Sequence, residues 1–381
     1  MRQAYLDNSA TTAVCRPAAD KAYAMMTACY GNPSSRHAVG FAAEQELHAA
    51  RRAVASLLAC PAEAVTFTSG GTEANNLAVL GAAAAGRRRG RHLVTTAIEH
   101  PSVAACFDEL EKQGFEVTRV MPDEEGGIPA ERLAQACRED TLLVSAMLVG
   151  NETGVRLPIE EAVPLIRRRA PLALIHTDAV QAVGRLPVHP AKLGVDLLSL
   201  SGHKLHAPKG VGALYVRPGV RLLPRALGGG QEKGLRSGTE PLPLIAALGE
   251  AIAALPSFEE QMQHYTALRT ALLDGLRVLG EKTAVVPHLP AKGVPYIVNV
   301  SFPGFKSETL LHFLAQRGVS VSSGSACAKG KQSPVLTALG LPPAERDSAL
   351  RISFCRDNTT DDIEQLLAAL EEAVTSLVRV K

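Results

Sequence analysis

None of the seven cysteines (Cys15, Cys29, Cys60, Cys106, Cys137, Cys327 and Cys355) belongs to a Cys-x-x-Cys pair or to the tight spacings of a zinc site. No metal is expected on spacing. In a reducing compartment the cysteines should be thiols, mostly small buried hydrophobes. No apolar stretch approaches the roughly 20 residues that span a bilayer. The start, MRQAYLDNSATT, lacks the basic and apolar regions of a signal peptide, so a cytoplasmic chain without membrane association is expected. A net charge of +2 gives no reason to expect nucleic acid. The one dense basic run, RRRGR at 87–91, follows AAAAG and reads as a helix C-terminus whose positive side chains complement the dipole. Internal repeats and low-complexity linkers are absent. So are a Walker loop, since no Lys-Ser/Thr follows the glycines, and a usable Gly-x-Gly-x-x-Gly.

What is present is a soluble globular balance, 46% hydrophobic and 20% charged, in 381 residues, a length that usually divides into two lobes. Strand-like and helix-like segments alternate from about 64 to 217. VTFTSGG runs into the helical pattern TEANNLAVLGAAAA. HLVTTAIE precedes HPSVAACFDELEKQG, with Pro101 in a first helical turn and Gly114 as a stop. FEVTRV, TLLVSAMLV, LALIHTDAV, DLLSLSG and VGALYV read as further strands. Several are apolar without alternation, as when helices cover both sheet faces. This predicts an α/β large domain at 13–257 with a mainly parallel seven-stranded sheet. After EAIAALPSFEEQ, helices such as YTALRTALLDGLRVLG mix with alternating strands, YIVNVSF and SALRISF. A smaller α+β C-terminal domain is expected at 258–381, joined by residues 1–12.

Ligands of open α/β sheets bind beyond the carboxyl ends of the strands, and there the polar residues concentrate. They are Ser69-Gly70-Gly71-Thr72, Glu99-His100, Gly150-Asn151, His176 to Gln181 and Ser201-Gly202-His203-Lys204. SGGTEANN puts free backbone N–H groups at a helix start, which suits a phosphate or, equally, an ordinary Thr72 cap. Asp178 ends an apolar run, where a carboxylate needs a cation: a protonated ring nitrogen of a cofactor, or an arginine. Lys204 is costly inside a protein unless a Schiff base to an aldehyde gives it a role. His203 and His206 come without a third metal ligand at recognisable spacing, so His206 reads as a local structural histidine. A phosphate cradle, a buried acid, an imine-forming lysine and a flat partner in His100 together describe pyridoxal 5′-phosphate.

In YLDNSATT, GNPSSRH, FTSGGTEANN, EHPSV, GNETG, HTDAVQAVG, SLSGHKLHAPKGVGALYV, GGGQEKGLRSGTE and VSSGSACAKG, nearly end to end and in order, the chain resembles the NifS/IscS-type cysteine desulfurases of the fold-type I pyridoxal-phosphate enzymes (the class V aminotransferase family). The resemblance implies that Lys204 anchors the cofactor aldehyde, Asp178 pairs with the pyridine nitrogen and His100 stacks on the ring. Asn151 and Gln181 would reach the ring's oxygen side. Gly71, Thr72, Ser201 and His203 would hold the phosphate, completed by Thr239 from a second subunit, hence a homodimer with shared sites. Cys327 would be the nucleophile that takes sulfur from L-cysteine as a persulfide and passes it to an acceptor protein, either an Fe–S scaffold or a thiolation enzyme. Arg351 and Asn32, with Asn151, would bind the substrate carboxylate.

Read from the residues alone, Cys327 lies between Gly324 and Gly330 and near Lys329 and Lys331, a setting for a mobile, thiolate-favouring loop rather than an inert buried thiol. Arg351 alternates with Leu350, Ile352 and Phe354 and so faces away from their core side, either to solvent or as a bidentate carboxylate clamp. Two features depart from the family pattern. Gln231 stands where many relatives have histidine, and the stretch after Cys327 is about two residues shorter than in the housekeeping enzymes. Three rival readings divide the residues differently. An aminotransferase or selenocysteine lyase needs Lys204 and Asp178 but not Cys327. A non-catalytic sulfur carrier needs Cys327 but not Lys204, and a metallohydrolase needs His203 and His206.

Overall fold

A computed structural model of the chain describes residues 3–323 and 332–379. After a short β1 (Ala4–Tyr5), the alternating region supplies β2 (Val65–Thr68), β3 (His92–Thr96), β4 (Glu116–Val120), β5 (Thr141–Ser145), β6 (Leu174–Asp178), β7 (Leu197–Ser201) and β8 (Gly212–Val216). Among the described residues they form one seven-stranded sheet in the order β2-β8-β7-β6-β5-β3-β4. Strand β8 is antiparallel to both its neighbours, and every other pairing is parallel, so β2 to β7 all point the same way.

The apolar runs without alternation now have their reason. Leu93, Leu143, Leu197 and Leu214 face one core, which is shared with α3 (Gly71–Gly86) and α4 (Pro101–Lys112). Their neighbours Val94, Val144, Leu198 and Ala213 face a second core on the opposite side. Both faces are dry. As expected, Pro101 occupies the first turn of α4, and Gly114, at φ 85°, turns the chain just beyond its end. The basic run begins at Arg87, the C-cap of α3.

The second core continues without a break into a smaller sheet of order β12-β13-β10-β9. Its strands are β9 (Val286–His288), β10 (Ile297–Ser301), β12 (Ser322–Ser323) and β13 (Ala349–Ser353); β11 (Val319–Ser320) pairs instead with β1, in parallel. Thus the first residues lie against C-terminal elements, and Asp7 bridges to Ser353. The change of texture near 258 coincides with the helix Phe258–Leu279, opened by a capping box in which Ser257 and Glu260 bond each other's backbone N–H. Leu350, Ile352 and Phe354 are fully buried, each worth roughly 1.5–3 kcal/mol against exposure. Their alternation turns Arg351 toward the opposite side.

Candidate active site

Because β2, β3, β5, β6 and β7 run the same way, Thr68, Thr96, Ser145, Asp178 and Ser201 end on one edge of the sheet. A cleft of about 330 Å³ opens there. Gly71, Thr72, His100, Asn151, Asp178, Gln181, Ser201, His203, Lys204 and Arg351 line it together, drawn from five strand ends and the smaller sheet. Asn32 and Thr239 do not. Both are exposed, and the Asn32 side-chain oxygen accepts the Ser34 N–H at 2.9 Å. Cys327 lies outside the described residues.

At the start of α3 the sheet and helix come very close. A Cβ on Gly212 would stand 2.7 Å from the Gly70 backbone, and one on Gly71 would stand 2.8 Å from Val180. The N-cap is Gly70 and makes no side-chain bond, so Thr72 is not the cap that the sequence left as an alternative. It lies inside the first turn, with its residue facing the cleft and the turn's N–H groups free of helical partners. Ser201 abuts this turn, its Cβ 3.4 Å from where a Gly71 Cβ would stand, and His203 lines the same cleft. Burial first, then the charges of Lys204 and Lys209, push the His203 imidazole down to about 4, so it is neutral. Its Nδ1 lies 3.2 Å from the Thr11 hydroxyl.

Lys204 donates from Nζ to the carbonyls of Ser9 and Ala10, each at 2.5 Å. Burial, reinforced by Arg185 and Arg351 and opposed by Asp7 and Asp178, lowers its pKa to about 7. Asp178 accepts from Asn75 Nδ2 at 2.7 Å and from the Val180 N–H at 2.9 Å. Asn75 also donates to Ser102 Oγ at 2.9 Å, and that hydroxyl lies 2.8 Å from His100 Nδ1. The Ser102 backbone N–H points at the same ring nitrogen, at 3.2 Å, so Nδ1 accepts and the neutral ring carries its proton on Nε2. Burial lowers the His100 pKa, against the pull of Asp178. Gln181 donates to the Ser9 carbonyl at 3.0 Å.

Arg351 is buried, not solvated. It reaches Asp7 Oδ1 at 2.8 Å and the Asn151 carbonyl at 3.0 Å. Two buried acids complete the walls. Burial lifts Glu99 to about 8, with Thr96 and the Met147 N–H on one of its oxygens. Burial also lifts Glu152 to about 7, while its bond from Ser333 at 2.6 Å and the charge of Arg351 pull it back.

Sequence reasoning missed Asn75, Ser102, Ser9 and Glu152. The signal for Asn75 was its place one helical turn after Gly71, which puts it on the same face. His206 is the structural histidine expected, with Nδ1 3.0 Å from the Ala13 carbonyl.

A polar occupant fits this cleft. Ser9 Oγ, Asn75 Oδ1, Glu99 Oε2 and Arg351 Nε are buried without a protein partner, and all four residues line it. Unpaired buried polar atoms cost about 1–3 kcal/mol each, a penalty a hydrogen-bonding guest would relieve. An amine, a carboxylate and a helix start are arranged for the aldehyde, ring nitrogen and phosphate of pyridoxal 5′-phosphate.

Comparison with known proteins agrees. The cysteine desulfurase IscS of Methanosarcina thermophila is 40% identical over 376 residues, 98% of this chain and 92% of the relative. Among solved structures, a NifS-like protein superposes with a TM-score of 0.93 at 35% identity, covering 99% of this chain and all of the other. SspA in complex with cysteine gives 0.81 at 33%, covering 93% and 99%. The family model for aminotransferase class-V matches residues 4–366, and with a cleft suited to that family's cofactor, pyridoxal 5′-phosphate, the chain belongs to the aminotransferase class-V family.

Proposed function

We propose that this protein is a pyridoxal-phosphate-dependent cysteine desulfurase, which converts L-cysteine to L-alanine and leaves the sulfur as a persulfide on Cys327. The observation that carries the reading is Lys204. A half-buried amine with a pKa near 7 shares one cleft with the Asp178–Asn75–Ser102–His100 chain and with Arg351. The end-to-end likeness to IscS and NifS relatives selects desulfuration among the reactions of the family.

When bound, pyridoxal 5′-phosphate supplies a conjugated ring that draws electrons from the substrate Cα, which makes both Cα–H and Cβ–S labile. The chain's own groups do the rest. Thr72, Ser201 and His203, with the α3 N-terminus, would hold the phosphate, and Asp178, oriented by Asn75, would keep the ring nitrogen protonated. Gln181 and Asn151 would meet the ring's oxygen side. Arg351 would clamp the substrate carboxylate in two-point fashion, its Nε being free for this. Lys204, with a pKa lowered to about 7, is poised to take and return a proton near neutral pH and moves the Cα proton. His100, which lines the cleft with its proton on Nε2, would shuttle protons at the substrate, giving its own to Cβ as the Cβ–S bond breaks and taking the thiol proton in exchange. The Cys327 thiolate attacks the substrate sulfur, the Cβ–S bond breaks, and alanine leaves with one proton in place of sulfur. Cys327 enters by resemblance and by its neighbours: Ser323 and Pro334, on either side of 324–331, both line the cleft.

The exposed stretch that carries Asn32 also holds Tyr30 and Phe41, 72% and 60% exposed. Apolar side chains so displayed suit a subunit interface, and Thr239 is also on the surface. We read the protein as a cytoplasmic homodimer in which Thr239 completes the neighbour's phosphate site. The acceptor of its sulfur is a protein, either an Fe–S scaffold or a thiolation enzyme.

Borohydride reduction of the yellow protein should fix the cofactor mass on the Lys204 peptide. Cysteine without reductant should then leave one extra sulfur on the Cys327 peptide and one alanine per sulfur. Cys327→Ser should still bind cysteine with a spectral change yet release almost no sulfide. Normal alanine output from that variant would instead favour a lyase that needs no protein thiol.

A further inference from the structure

Two residues beyond Lys204 the chain passes through His206, a non-glycine residue at φ 60°. Its backbone is pinned to the N-terminal segment: its N–H donates to Thr12 Oγ1 at 3.0 Å, and its carbonyl accepts from the Cys15 N–H at 2.9 Å. Against its imidazole comes the segment leaving β13. Asp357 Oδ2 lies 3.6 Å from His206 Nδ1 and 4.0 Å from Cys355 Sγ. The three side-chain atoms all fall within 4.8 Å of one another. His206 and Cys355 are buried, while Asp357 opens to solvent.

We propose that His206, Cys355 and Asp357 form a binding site for one divalent ion of the Zn²⁺ class, separate from the active-site cleft. An imidazole, a thiolate and a carboxylate are the donor set that borderline-soft ions such as Zn²⁺ and Co²⁺ take, and that Mg²⁺ and Ca²⁺ avoid. The spacing also suits them. Bonds of about 2.3 Å to sulfur and about 2.0–2.2 Å to nitrogen or oxygen set the edges of a tetrahedron at roughly 3.3–3.7 Å. At 3.6 Å the nitrogen–oxygen edge is already that length. The nitrogen–sulfur edge, within 4.8 Å, must close by as much as about 1 Å through the Cys355 side chain. The oxygen–sulfur edge, at 4.0 Å, needs a contraction of a few tenths of an ångström, which an exposed aspartate can supply by a change of rotamer. That exposure leaves an entry path and a fourth position for water. Two cations face the cluster. Arg356 is held at the Ala254 carbonyl and lies 3.8 Å from the other oxygen, Oδ1, leaving Oδ2 to the cluster, and Arg185 is held by Gln181 Oε1 and the Asn8 carbonyl.

Binding is balanced by one proton. Cys355 releases its thiol proton to solvent as the metal–sulfur bond forms. The imidazole stays neutral, with its proton moving from Nδ1 to Nε2 as the Ala13 bond gives way to the ion. Sequence spacing hides such a site because Cys355 and Asp357 reach His206 only through the fold. The ion would tie the Lys204 turn, the 12–15 segment and the exit of β13 together, so its effect should appear as stability. The inference does not depend on the desulfurase reading.

The test is titration of the metal-free, cofactor-loaded protein with CoCl₂, read in the red, clear of the cofactor's own absorption. One equivalent should give the intense bands of four-coordinate, thiolate-bound Co²⁺, which ZnCl₂ then removes. ZnCl₂ alone should raise the melting temperature of the wild type but not of Cys355→Ser. The bands should vanish in Cys355→Ser and in His206→Asn, the latter chosen because asparagine tolerates positive φ. They should survive in Cys327→Ser. Asp357→Asn, an exposed change with little risk to folding, should weaken binding at least about tenfold. Bands that persist without Cys355, that depend on Cys327, or whose affinity is unchanged in Asp357→Asn would overturn the site, as would no band at all.

Discussion

Lys204 is a lysine whose surroundings set its charge. With burial and two arginines holding its pKa near 7, most of the amine is unprotonated at pH 8, whereas an exposed lysine reaches that state only above pH 10. The unprotonated amine is the one that adds to an aldehyde. Reconstitution of the cofactor-free protein with pyridoxal 5′-phosphate should therefore accelerate as pH rises through 7 and level off by about pH 8. A rate still climbing at pH 9 would mean that the amine is not depressed. Asp178, His100 and Lys204 were legible in the sequence because each is a polar residue set at the end of an apolar strand, a place that demands an explanation. Asn75, Ser102 and Ser9 were not. Their roles depend on bonds between residues far apart, Asn75 to Asp178 across 103 positions and Gln181 to Ser9 across 172, and no local pattern encodes them.

At the scale of the element, His100 serves two masters. It is the N-cap of α4, its Nδ1 accepting the Ser102 N–H, and it also faces the cleft. His100→Ala should lower stability by about 1 kcal/mol through the lost cap and should also slow turnover. His100→Asn restores a capping side chain but offers no imidazole. Melting temperature should recover in that variant while turnover stays low. If both recover together, the histidine matters for α4 and not for chemistry. Helix α3 sets a second constraint. Gly71→Ala places a methyl 2.8 Å from Val180, which must push the first turn away from Ser201. Cofactor retention should fall about tenfold, measured as the dissociation constant of the phosphate-bearing cofactor, with the sheet intact. Strands β3, β5, β7, β10 and β13 were readable because five buried residues in a row leave a clear signature, and β2, β6 and β8 because four do. Strand β4, buried only at Val120, shows instead through its valines and threonine. Strands β1, β9, β11 and β12, two or three residues long, carry too few positions to have one, and only their partners define them.

For the whole molecule, the proposed homodimer would bring the two exposed residues Asn32 and Thr239 against a second chain. The hybrid experiment follows from that. A Lys204→Ala chain lacks the amine but keeps Thr239, and a Thr239→Ala chain has the reverse defect. Mixed dimers then hold one intact site each, so random mixing should restore up to about a quarter of wild-type activity. No recovery on mixing, or a fully active monomer at micromolar concentration, would place both halves of the phosphate site in one chain.

The seat of Lys204 is built from segments far apart in the polypeptide. Ser9 and Ala10 accept from its amine, and the Asn8 that precedes them is held by the carbonyl of Ser353, a pairing across 345 positions. During synthesis the opening residues emerge long before that partner exists. At roughly 5–20 residues per second, the ribosome needs on the order of 20 seconds to a minute to close the gap. Throughout that interval the strand-end side chains can gather on the nascent large sheet, but the lysine has no finished cradle. Loading of the coenzyme should consequently lag behind the appearance of full-length chain rather than accompany translation, and a vitamin-starved cell should accumulate complete but empty protein, not truncated fragments.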